Sequence, residues 1–311
     1  MLSFVILSTL IFLLLPSVAQ AWGPGTHIEL ALALLEKVAL FAPAVRAAIA
    51  GREDWFIYGN VAADIVVAKR LAGVQGHCHN WKVAQAILKN ASTDEERAAA
   101  YGYLSHIAVD IVAHNYFVPF KIVKSYKTRL LSHTYWEMRF DMHVRPLVWT
   151  KMREMTSGRF KAFDRLLSKV LKRALFSFGT SKKIFIGILA IQRLSQIRKT
   201  FNAHAKRSRY GLDTEGISHY MRLAVKTAMG CLADPDNAPC LSGDPVGDYK
   251  IEYAKMMRWA LKQSLKGRVL TRRDVDRGLE LVREELQKNI FVPRAALPNL
   301  HDICFFSSQR R

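Results

Sequence analysis

The sequence predicts an all-α protein, on three observations. Apolar residues recur at helical spacing along almost every periodic segment. Helix start signals stand ahead of several of those segments. Val-rich alternating runs bounded by tight turns, the mark of strands, are not evident. With 311 residues, half of them hydrophobic, the chain can bury a substantial core in one large domain or two small ones.

In chain order, residues 1–21 carry no charged side chain. The apolar run Phe4 to Leu15 is too short to span a bilayer comfortably, since a spanning helix needs roughly 20 residues. It is followed by Pro16 and by small residues at Ala19 and Ala21, which fit a signal-peptidase site. The expectation is a signal peptide cleaved after Ala21, with export to a periplasmic or extracellular space. The missing basic n-region leaves an uncleaved anchor as the alternative.

Thr26-His27-Ile28-Glu29 reads as a capping box ahead of the helical run Leu30 to Leu40. Pro43 can open the next helix. Ser92-Thr93-Asp94-Glu95 starts another, which predicts a helix through Leu104 and Ile111 to Val118 that stops at Pro119. Residues 129–143 are helical again by pattern. Thr271-Arg272-Arg273-Asp274 stands ahead of a helix to about Lys288.

Charge is the outlier: 46 Lys and Arg against 26 Asp and Glu give +20. Such an excess favours anionic partners, phospholipid surfaces or nucleic acid, and says nothing about fold. It is densest at 151–210, with sixteen Lys and Arg against Glu154 and Asp164. The apolar stretch Ile184 to Ile191 within it, flanked by Lys182, Lys183 and Arg193, has two readings. It is a basic amphipathic helix lying on an anionic membrane, or a core-facing helix with a solvated basic back. The organisation expected is a signal peptide at 1–21, a region 22–150 with the candidate chemistry, and a basic helical region 151–311 of the same or a second domain. No protein partner is expected.

Of the four cysteines, Cys231 and Cys240 can close a loop across a turn-rich segment in an exported protein. No CxxC pair exists, which argues against a cysteine-based zinc site.

The chemistry starts at His106, Asp110 and His114, which repeat every four residues on an apolar stretch and so line one helix face. A buried carboxylate without a partner is very costly. Two histidines on its own face make a metal ion the economical answer, because zinc takes imidazole and carboxylate ligands. His133 and Glu137 repeat the one-turn spacing, and Asp141 and His143 stand in position to support them. In Gly76-His77-Cys78-His79 the two histidines point to opposite sides of an extended segment, so either can face a metal. Cys78 reads as a small buried hydrophobe. If cleavage follows Ala21, the freed amine and carbonyl of Trp22 can also bind zinc, and the Gly-Pro-Gly turn folds this end back beside His27.

Taken in order, these clusters resemble the zinc-dependent phospholipase C family, over roughly residues 22–143. The family is related to the N-terminal domain of glycosylphosphatidylinositol-specific phospholipase D and to single-strand-specific zinc nucleases. The resemblance implies an all-α multi-helix bundle and two to three zinc ions. One ion would take Trp22, His27 and Asp110. A second would take His77 or His79, His106 and Asp110, with Asp64 close by as ligand or general base. A third would take His114, His133 and Glu137. Three residues rather than five separate Asp110 from His114, as in the phospholipase D branch. The activity implied is phosphodiester hydrolysis, with phospholipid or a membrane surface as substrate. The alternatives are a zinc nuclease acting on nucleic acid, and a non-catalytic, membrane-associated, metal-binding envelope protein on the same scaffold.

Overall fold

The computed structural model describes residues 22–65, 78–127, 136, 139–171, 177–192, 199, 203, 212 and 214–309. Among them every regular element is helical. The first half contributes α1 (Pro24–Leu35), α2 (Pro43–Ile49), α3 (Glu53–Ala62), α4 (Trp81–Asn90), α5 (Asp94–Val112) and α6 (Val118–Lys124). The second half contributes α7 (Pro146–Glu154), α8 (Lys161–Val170), α9 (Phe178–Gln192), α10 (Thr214–Ala233), α11 (Asp248–Lys266), α12 (Arg272–Lys288) and α13 (Leu300–Gln309).

The middle of the fold is α5 and its continuation. Every residue from Gly102 to Val123 is buried, and a helix apolar on all sides must be wrapped on all sides. Helices α2, α3, α4, α8 and α10 cover α5, while α11 and α12 cover α6. Thr93 caps α5 in a capping box with Glu96. The crossing of α3 and α5 is unusually close. A Cβ on Gly59 would lie 1.8 Å from the Ala99 carbonyl oxygen, and one on Gly102 would lie 2.0 Å from that of Phe56. Only glycine permits that approach.

Two boundaries differ from the pattern reading. Pro119 does not stop the helix, because a π-turn over Ala113–Phe117 adds a residue to the spiral. Pro119 then sits in the first turn of α6, where its missing N–H costs nothing. Thr26 is not an N-cap either. The helix starts at Pro24, and Glu29 does not reach back but accepts from the Arg145 backbone at 3.0 Å and from its guanidinium. The work of the cap falls to Asp141, distant in sequence.

In the basic region, Phe185 and Leu189 of α9 are buried, while Ile184 is half exposed. Lys182 on this helix donates to the Tyr58 hydroxyl at 2.9 Å and to Asp164, and Tyr58 also donates to Asp164. These bonds fasten α9 to α3 and α8. Cys231 and Cys240 are free and buried, in thiol–thiol hydrogen-bond contact rather than a disulfide. The α12 start is as predicted, with Thr271 and Asp274 in a capping box. No helix among the described residues is long and apolar enough to cross a membrane.

Candidate metal centre

Five of the singled-out side chains converge in the core: His27 from α1, Asp64 just after α3, His79 just before α4, and His106 and Asp110 from α5. All are at most 1% exposed. Asp110 is the hub. His79 Nε2 lies 3.0 Å and His106 Nε2 3.2 Å from its Oδ2, and His27 Nε2 lies 3.4 Å from its Oδ1. Asp64 Oδ1 stands 3.3 Å from His79 Nε2 and 3.8 Å from His106 Nε2. Donor atoms gather within 4.8 Å in two overlapping groups, His27 with His106 and Asp110, and Asp64 with His79 and His106.

Secondary contacts fix the aim of these side chains. His106 Nδ1 lies 2.6 Å from the Asn60 carbonyl oxygen, which can only accept, so Nδ1 carries the proton and Nε2 keeps its lone pair. The close α3–α5 crossing brings that carbonyl within reach. His114 is held likewise: Nδ1 donates to the Pro245 carbonyl at 2.5 Å, which leaves the lone pair on Nε2. The Tyr103 hydroxyl donates to the Cys78 carbonyl at 2.5 Å, tying the segment that carries His79 to α5. His79 Nδ1 lies 3.3 Å from Cys78 Sγ.

The N-terminal segment is clamped by Asp141. Its carboxylate accepts from Gly25 N at 3.1 Å, Thr26 N at 2.8 Å and Thr26 Oγ1 at 2.6 Å. A Cβ on Gly23 would lie 2.2 Å from Asp141 Oδ2, so glycine is required there too. Burial pushes the Asp141 carboxyl up, against the pull of the Thr26 and Gly25 donors. The clamp seats His27, whose ring stacks on that of His106 at 3.9 Å and 18°. Trp22 is buried against Phe140 and Phe117, ring centres 5.4 and 6.1 Å away.

The electrostatics suit a cation. Burial, with His27 beside it, pushes His106 down to about 4, so it is neutral and able to ligate. Burial also acts to raise Asp110. The adjoining His106 and the close contacts with the His106, His27 and His79 rings outweigh it and hold the carboxyl well below its ordinary value. Both ring nitrogens of His27 and both oxygens of Asp110 make no well-aligned hydrogen bond among the described residues. Lone pairs that crowd together at 3.0–3.4 Å without such alignment fit a shared positive ion. The donors are imidazole and carboxylate, the set zinc takes. His79 is the histidine of its segment that the structure brings into this cluster. His77, His133 and Glu137 lie outside the described residues, and His114 joins neither group. Asn60, Tyr103 and Pro245 were not legible in the sequence as supporting residues.

Comparison with known proteins gives one finding: residues 26–177 match the family model for zinc-dependent phospholipase C. No curated protein and no solved structure matches the chain. The matched segment holds His27, Asp64, His79, His106 and Asp110, on the all-helical scaffold described above, and this segment is similar to the zinc-dependent phospholipase C family.

Proposed function

We propose that the protein is an exported zinc-dependent phosphodiester hydrolase that acts on phospholipids. The observation that carries this is the convergence of three imidazoles and two carboxylates on one buried point, inside a segment similar to the phospholipase C family. Zinc held there would supply Lewis acidity, acidifying water and neutralising charge on the phosphodiester. His27, His106 and Asp110 form one donor set, and His79, His106 and Asp64 another, with Asp110 bridging them. Two to three ions are expected, the third on His114, His133 and Glu137. Asp64 sits at the edge of the cluster, where it orients the attacking water and takes its proton. The neutral His106 keeps its Nε2 lone pair for ligation because its other nitrogen is tied to Asn60.

The test begins with the mature protein: its N-terminal residue and its zinc content, measured in one sample. A start at Trp22 with two or three zinc ions per chain is expected. Phosphatidylcholine vesicles should then be hydrolysed, and chelation should abolish the activity. Release of a phosphorylated head group would mark cleavage on the C side, and phosphatidic acid cleavage on the D side. Faster hydrolysis of single-stranded DNA would replace this reading with the nuclease. Chelation that lowers only thermal stability, with neither substrate cut, would leave a metal-binding scaffold.

A further inference from the structure

Helix α11 carries a face that neither the core nor the metal centre uses. Tyr249, Met256 and Trp259 are 44%, 59% and 59% exposed, and Val269 just beyond the helix is 67% exposed. At 100° per residue the three helical positions share an arc of about 80° along about 15 Å of axis. Met256 and Trp259 are neighbours at i, i+3. The opposite face, with Ile251, Ala254, Met257 and Leu261, is buried. Scattered apolar residues on a surface need no explanation, but an exposed tryptophan beside an exposed methionine does.

The charge around that face is predominantly positive, with Glu252 the exposed acid inside its arc. Residues 253–273 hold seven cations, Lys255, Arg258, Lys262, Lys266, Arg268, Arg272 and Arg273, and no acid. Lys255 pairs with Glu252 at 3.2 Å, across the last acid before this stretch. Lys266, Arg268, Arg272 and Arg273 are exposed.

We propose that this face of α11 docks the protein on an anionic lipid surface, with Trp259 and Met256 entering the headgroup layer and the surrounding Lys and Arg resting on lipid phosphates. Apolar side chains ringed by cations are what such an interface selects. A second copy of the chain fits poorly, because a two-fold contact would set this basic surface against itself. A nucleic acid would use the cations but has no use for an exposed methionine and valine. The face is also joined to the metal-site region. Gly247, in the left-handed conformation at φ 65°, starts α11 against His114, and a Cβ there would lie 2.5 Å from the His114 carbonyl oxygen. Tyr249 follows within one turn. The proposal deepens the phospholipid reading and rests on it for the substrate, but the docking stands on the surface alone.

The experiment is vesicle co-sedimentation of the mature protein, comparing equimolar phosphatidylcholine–phosphatidylglycerol vesicles with phosphatidylcholine alone. The variants are M256A/W259A, and K266A/R268A/R272A. Both change exposed residues, and an unchanged Tm shows that they fold. Partitioning onto the mixed vesicles should fall about tenfold in the first, and roughly fivefold per cation removed in the second. Equal binding of both variants and wild type overturns the proposal. So does loss of single-stranded DNA binding in the charge variant with vesicle binding kept, or a dimer in sedimentation velocity that M256A/W259A dissociates. Zinc content and hydrolysis of a soluble phosphodiester are read separately on the wild type, so failure of the hydrolase reading is distinct from failure of docking.

Discussion

Asn60 decides what His106 can bind, and it does so with a backbone carbonyl. The 2.6 Å contact assigns the ring proton to Nδ1 and turns the Nε2 lone pair toward Asp110. No residue type at position 60 advertises this, since every residue offers a carbonyl; the same holds for Pro245 beside His114 and Cys78 beneath Tyr103. What could be read in the sequence was the pairing of His106 with Asp110, because carboxylate and imidazole at four-residue spacing on an apolar helix demand a partner. The choice between His77 and His79 was not legible, since alternate residues of an extended segment are equivalent until something packs on one side. Asp110 is where the site is most sensitive, because three imidazoles face its carboxylate. Asp110→Asn keeps the shape and removes the charge. Zinc affinity measured by chelator competition should drop by more than about 100-fold, beyond the loss typical of supporting residues, while the helical circular dichroism persists. An Asn variant that holds zinc like wild type would show that Asp110 is not a ligand.

At the scale of elements, the centre depends on how closely two helices cross. Gly59 and Gly102 let α3 and α5 touch backbone to backbone, and that contact delivers Asn60 to His106. Sequence patterning placed α5 and its start correctly, because Thr93 and the following acids form a local signal. It misplaced the helix end, because the π-turn that carries His114 is set by packing rather than by local propensity. It misread Thr26 for a similar reason: a capping box is a local inference, and the carboxylate that binds this helix start comes from Asp141. Gly102→Ala tests the crossing. A Cβ placed 2.0 Å from the Phe56 carbonyl oxygen must push the helices apart. Denaturant unfolding should show a loss of about 1–3 kcal/mol, the usual cost of overpacking, and zinc affinity should weaken with it. Gly230→Ala on α10 is the control: nothing lies within 4 Å of its added Cβ, so that variant should be neutral or gain up to about 1 kcal/mol of helix propensity.

At the scale of the molecule, the family match ends at residue 177, but the packing around the metal centre does not. Helix α10 lies on α5, and α11 lies on α6. The 243–247 segment between them reaches the residues that flank the site. Trp81 Nε1 donates to the Gly243 carbonyl at 3.0 Å, Asn115 Nδ2 to that of Asp244 at 2.7 Å, and His114 Nδ1 to that of Pro245. No motif marks these contacts, because all the recognisable chemistry falls early in the chain and carbonyl acceptors leave no trace in a motif. A fragment spanning 22–177 would therefore expose one side of a helix pair that is buried without interruption from Gly102 to Val123. It would also strip His114 of the bond that sets its tautomer. Each large apolar side chain uncovered costs about 1.5–3 kcal/mol, against a total stability of only about 5–15 kcal/mol. A handful of such side chains is enough to unfold it. The fragment should show no cooperative thermal transition and no tight zinc, whereas residues 22–309 should melt cooperatively and shift to higher temperature with zinc. A folded, zinc-binding fragment would instead make the C-terminal half an appendage, and its contacts with His114 and Asn115 dispensable.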